Sequence, residues 1–221
     1  MSYLYLFIFL FFAVYLVLAS KENFFKPNVN ILTSVLIALS SVFIYKNLLS
    51  EGSLQQVYQK QSLEIFLAGD PERKESKRQD VIGLVEQLIK KKDAEAGELY
   101  ILARKLKNVN EYILSEDIYE EIYRRFGDDL DGDVIAEYAQ VLFISKGRKL
   151  DDSIYVLLKE ALKKSPNNPS ALTLLGLAEL ENNNPSLTIE LWNRAIPLLN
   201  TEKEKNDLTA LIEAVKKGKN Q

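Results

Sequence analysis

The side chains with chemistry to offer are carboxylates, hydroxyls and amines, because histidine and cysteine are both absent. No cysteine means no disulfide, no thiolate nucleophile and no cysteine-held zinc or iron–sulfur site. No histidine removes the commonest general base, metal ligand and axial haem ligand. Carboxylates could still bind magnesium or calcium, and the adjacent pairs Glu120/Glu121, Asp128/Asp129 and Asp151/Asp152 are the candidates. Neighbours one apart do not share a helix face, so these pairs read as loop or cap acids that need not converge on one site. There is no Gly-rich phosphate loop, EF-hand spacing or HExxH motif. The sequence therefore predicts no catalysis, no metal and no cofactor. The net charge of -3 supplies no basic field, and the cluster Lys90–Lys92 sits among acids, so no nucleic-acid partner is expected.

The elements that would position the chain come next. Residues Tyr3–Ala19 carry no charge and approach the roughly 20-residue length that crosses a bilayer. Met1–Ser2 offers no basic side chain, which argues for a retained span over a cleaved signal peptide. A second apolar segment runs from Ile31 to Tyr45, and its Thr33, Ser34, Ser40 and Ser41 can bond back to helix carbonyls. The short connection Lys21–Asn28 sets Lys21 and Lys26 against Glu22, which by the positive-inside rule places it in the cytoplasm. Residues 1–50 are thus expected to be a membrane anchor, a hairpin of two transmembrane helices in the bacterial inner (cytoplasmic) membrane. The lipid bilayer is then a partner, and the rest of the chain lies in the periplasm.

Residues 51–92 read as a helical linker region. Leu54, Val57 and Tyr58 suggest one apolar helix face, Asp70–Pro71 is an N-cap followed by a first-position proline, and polar residues from Glu72 lead into Val81, Leu84, Val85 and Leu88. From Asp93 a repeat is visible. The pairs Leu102-Ala103, Tyr138-Ala139 and Leu175-Gly176 recur at intervals close to the 34 residues of a tetratricopeptide repeat. The small residue lets the two helices of a unit approach, and Tyr119 or Trp192 in the second helix fills the space between them. Asn168–Pro169 and Asn184–Pro185 start helices, Pro197 ends one, and Thr201–Glu204 is a capping box for a last helix that lids the stack. The expected fold class is all-α: the transmembrane hairpin, then over 93–221 a short tetratricopeptide-like α-solenoid of about three helix pairs plus a C-terminal capping helix.

This sequence resembles the membrane-anchored tetratricopeptide subunit of the bacterial cytochrome c maturation system. The likeness is carried by KEALKKSPNNPSALTLLGLAELENNNPSLTIELWNRAI, Lys159–Ile196, with IAEYAQVLF, Ile135–Phe143, as the preceding repeat helix. It spans about residues 93–215 and, in architecture, 1–50. Ser115 and Thr188 depart from it, standing where the repeat expects alanine. The resemblance implies a membrane-tethered periplasmic chaperone or scaffold that binds apocytochrome c by its C-terminal helix. It would deliver the apoprotein to the haem-ligation subunits, which own the haem and thiol chemistry. A general membrane-anchored repeat scaffold for another envelope complex is the alternative.

The inner face of such a stack is lined by the first helix of each unit. Counting from the aligned small residues gives Tyr100, Arg104, Lys107 and Asn108, then Ala136, Gln140, Phe143 and Ile144, then Thr173, Leu177, Leu180 and Glu181. Tyr100, Arg104, Lys107, Gln140, Phe143, Thr173 and Leu177 are the peptide-binding candidates. The aromatic and leucine side chains would supply apolar contact, and Arg104 and Lys107 would be free to meet acidic groups or a terminal carboxylate.

Overall fold

A computed structural model of the chain describes residues 34–43 and 51–219. All regular structure among them is helical: α1 (34–43), α2 (Glu51–Leu67), α3 (Pro71–Lys90), α4 (Ala96–Asn108), α5 (Tyr112–Phe126), α6 (Gly132–Ser145), α7 (Asp152–Lys164), α8 (Pro169–Glu181), α9 (Pro185–Ala195) and α10 (Glu202–Lys219). The chain divides into two compact units, Met1–Ile65 and Phe66–Gln221.

In the first unit, the hydroxyls of Ser40 and Ser41 donate to the carbonyls of Leu36 and Ile37, each at 2.8 Å. Among the described residues no helix is long and apolar enough to cross a membrane. The segment Tyr3–Ala19 lies outside the described residues, as do both ends of Ile31–Tyr45. The expected transmembrane hairpin therefore has no counterpart among the described helices. This corrects the anchor, and with it the inner-membrane location, the periplasmic placement and the lipid bilayer as a partner.

The second unit is a run of helix pairs. α4 packs on α5, α6 on α7 and α8 on α9, each pair stacks on the next, and α10 covers the exposed side of α9. The caps work as local chemistry dictates. The Asp70, Asp151 and Asn168 side chains accept from the backbone N–H of Arg73, Ile154 and Ala171. Thr201 and Glu204 exchange both bonds of a capping box, at 3.1 and 3.2 Å. Asn184 differs from expectation. Its side chain makes no cap bond and instead donates to the buried Glu179 carboxylate at 2.7 Å. The α9 helix stops at Ala195 and tightens into a 3-10 turn, Ile196–Leu198, that holds Pro197.

Ala103 and Ala139 are fully buried, and Gly176 is buried as well. Tyr119, Tyr155 and Trp192 repeat at the same 36- and 37-residue steps as these small residues. The two tyrosines reach forward into the next pair: Tyr119 donates to Glu137 at 2.7 Å and Tyr155 to Glu179 at 2.6 Å. Trp192 has no further pair to reach, and its Nε1 donates back to the Thr173 carbonyl at 2.9 Å. The off-pattern hydroxyls are accommodated on the backbone, Ser115 on the Ala103 carbonyl at 2.8 Å and Thr188 on the Asn184 carbonyl at 3.1 Å.

The polar stretch from Glu72, read as linker, is the first half of α3. Its charges bind it to α5. Arg78 holds Glu111 with two bonds, at 2.9 and 3.0 Å, and Lys74 Nζ sits 2.7 Å from the same carboxylate. At the other end, Arg125 of α5 donates to the carbonyls of Ile89 and Lys91 and to the buried Glu121. Hydrogen bonds from Arg78 chiefly, with Lys74 adding, hold the Glu111 carboxyl below its ordinary range against an opposing burial effect. A depressed folded-state value stabilises the fold above the unfolded value of about 4.3 and loses that stabilisation as pH falls through the folded value. Glu111→Gln is therefore expected to lower stability by about 2 kcal/mol at pH 7. The difference from the parent chain should shrink as pH falls below the unfolded value of about 4.3 and through the depressed folded value, as checked by denaturant titrations at neutral and acidic pH.

Candidate functional site

Tyr100, Arg104 and Lys107 occupy positions i, i+4 and i+7 of α4 and share one face. That face meets Glu137 of α6. Glu137 Oε2 accepts from the Tyr119 hydroxyl and lies 3.1 Å from Lys107 Nζ and 3.5 Å from Arg104 Nε. The Arg104 guanidinium lies over the Tyr100 ring at 5.6 Å, and Tyr100 meets Tyr119 edge-on at 6.2 Å. Burial, reinforced by the Glu137 carboxylate, pushes the Tyr119 phenol far up, and burial with Glu137 also raises Tyr100. Both remain protonated donors at neutral pH. Arg104 and Lys107, expected to be free for a partner's acid, are engaged by an acid of the chain itself. Glu137 escaped the sequence reading, yet its i, i+3 relation to Gln140 was the available signal.

Gln140 and Thr173 come together elsewhere on this surface, in an open cleft of about 410 Å³ between α6, α8 and α10. Its apolar lining is Leu174, Leu199, Leu208 and Leu211, and Leu211 remains 52% exposed. Thr173 donates its hydroxyl to the Pro169 carbonyl at 2.8 Å, so it offers the cleft chiefly its methyl and an acceptor oxygen. Phe143 and Leu177 are half-buried and do not belong to the cleft lining. Ala136 is core, and Ile144 lines a different crevice with Ile82 and Ile113. Leu180 is half-buried, while Asn108 and Glu181 are exposed. The capping helix, which sequence reasoning took for a lid alone, supplies Leu208 and Leu211 to the cleft.

The acid pairs do not build a reaction centre. Asp128 and Asp129 are exposed in a 3-10 turn, and Lys164 ties down the carbonyls of Gly127, Asp128 and Leu130 at 2.8–3.0 Å. Asp151 caps α7 and is held well below the usual carboxylate range, chiefly by Lys146. Glu121 is held below its range by Arg124, with Arg125 adding. Among the described residues no group of three or more acids is placed to hold a metal ion.

Repetitive helix–helix packing of this kind is typical of non-catalytic α-solenoid scaffolds. No family model matches the sequence. Over 70 residues, 32% of this chain, it is 36% identical to the cytochrome c-type biogenesis protein CycH of Pseudomonas aeruginosa. The matched stretch is 17% of that protein, so the chain spans about a sixth of its relative's length. The likeness is thus narrower than the resemblance read over 93–215. The expectation of the membrane-anchored maturation subunit, as family and as function, is corrected to this partial similarity.

Proposed function

We propose that the chain is a helical scaffold or chaperone that holds a segment of a partner protein against the face formed by α6, α8 and α10. The observation that carries this reading is the cleft in which Gln140 and Thr173 converge on Leu174, Leu199 and Leu211. An apolar floor with a few polar groups at its edge suits an amphipathic helix laid in a groove. The Tyr100–Arg104–Lys107–Glu137 cluster lies one helical turn along α6 from Gln140 and extends that face as a rigid, internally paired wall. No reaction is assigned to it. The partial likeness to CycH makes components of cytochrome c-type biogenesis the first partners to test.

Binding of fluorescent peptides tiled across c-type cytochromes, with unrelated amphipathic helices of equal charge as controls, tests the reading. Selective, saturable binding is expected, weakened about tenfold or more by Thr173→Arg, which would fill the cleft with charge. Binding that ignores Thr173→Arg in a still-folded chain would contradict it.

A further inference from the structure

A second cleft, of about 580 Å³, opens between α5, α6 and α7. Its lining includes Glu116 and Glu120 from α5, Asp152 from α7, and the apolar Leu142, Val156 and Leu157. Val156 is 59% exposed although it sits mid-helix. Lys146 also lines the cleft, and its Nζ is paired with Asp151 at 2.6 Å. Tyr138 also lines this cleft. It is only 9% exposed, stacks on Tyr119 at 6.1 Å and packs against Tyr123 at 5.8 Å, yet its hydroxyl makes no hydrogen bond. Among the described residues no buried side-chain oxygen lacks a partner, so this hydroxyl oxygen keeps solvent contact and is within reach of a group that enters the cleft. Burial first, then Glu120 and Glu116, push the phenol up to about 12, which registers the negative potential there. Asp117 is raised as well, by burial and then by the same two carboxylates.

Glu116 and Glu120 stand one turn apart on the same face of α5. Cations spaced four residues apart on a facing helix match that pair, and an apolar stripe beside them matches Leu142, Val156 and Leu157. The acids are not gathered as a metal site, and their charge repels nucleic acid and anionic lipid. We infer that this cleft is a second docking site, which takes a lysine- or arginine-bearing amphipathic helix of a partner protein, its cations on Glu116 and Glu120 and its apolar stripe on Val156. It lies between α5, α6 and α7, whereas the first cleft lies between α6, α8 and α10, so one chain can hold two segments at once.

The test uses the full chain and two synthetic amphipathic helices, one with lysines four apart beside a leucine stripe and one with glutamates in their place. Calorimetric titration should show saturable binding of the basic peptide alone, weakening as salt rises. The double variant Glu116→Gln/Glu120→Gln should lower affinity about tenfold and Tyr138→Phe about threefold. Val156→Lys, a change at an exposed position that brings a like charge, should abolish binding. Thr173→Arg, in the other cleft, should leave it unchanged, which separates this site from the one under Proposed function. Equal binding of both peptides, no binding, or binding that survives Val156→Lys and Glu116→Gln/Glu120→Gln in chains with unchanged circular dichroism overturns the inference. Loss through Thr173→Arg instead would move the peptide to the other cleft and overturn it equally.

Discussion

Replacing Trp192 by alanine is expected to cost about 3–5 kcal/mol of stability. The indole is 2% exposed, and its Nε1 donates to the Thr173 carbonyl across the α8–α9 pair. It occupies the space that Gly176 leaves open: a Cβ at Gly176 would lie 2.3 Å from Nε1. The substitution empties that space and takes the donor from the Thr173 carbonyl. Trp192→Phe, which keeps a ring and loses the donor, should fall between the two. Trp192 is the single tryptophan, so unfolding in urea is followed by far-ultraviolet circular dichroism rather than fluorescence. A loss below about 1 kcal/mol would contradict the packing described, because core truncations of this size cost several times that.

The second large effect is expected at Gly132, the first residue of α6. A Cβ there would meet the Ala161 carbonyl oxygen at 2.4 Å, the Ser165 nitrogen at 2.6 Å and the Ser165 Cβ at 2.8 Å. Two of these are backbone atoms at the end of α7, and they cannot rotate away as a flexible side chain would. The start of α6 and the end of α7 must separate, which strains the Ser165–Asp131 and Asn168–Asp133 bonds beside them, at 3.0 and 2.8 Å. Gly132→Ala should therefore cost about 3 kcal/mol. Gly97→Ala is the control: nothing lies within 4 Å of its Cβ position, in the first turn of α4. Alanine there should be neutral or slightly stabilising, since it only reduces unfolded-state freedom. Denaturant midpoints that move alike for both variants would contradict the close approach of α6 and α7.

The helix pairs were legible because their signals are local. A small residue at a 36- or 37-residue step, an asparagine followed by proline, and a threonine with glutamate three residues on each specify one turn of chain. Trp192 was legible as core for the same reason. The first half of α3 was not, because Glu72–Asp80 has no apolar periodicity of its own. Its stability comes from Lys74 and Arg78 meeting Glu111, a residue more than thirty positions on. The candidate site divides along the same line. Positions on one helix face were countable, so Gln140 and Thr173 could be named as candidates from the sequence. Glu137 as the partner of Arg104 and Lys107, the Leu208 and Leu211 contribution from α10, and the acid-walled cleft around Tyr138 all depend on contacts between helices. The apolar runs at the N-terminus show the opposite failure. Hydropathy alone favoured two membrane spans, and the described helices contain none long and apolar enough.

Whether the chain holds a partner segment along α6, α8 and α10 is tested most directly by a nitrogen-15 NMR titration of the full chain with the tightest-binding cytochrome-derived peptide. Saturable shifts at Gln140, Thr173, Leu174 and Leu211, lost in Thr173→Arg, are the predicted result. Shifts confined to α5 and α7, or no shifts in a folded chain at saturating peptide, would contradict it.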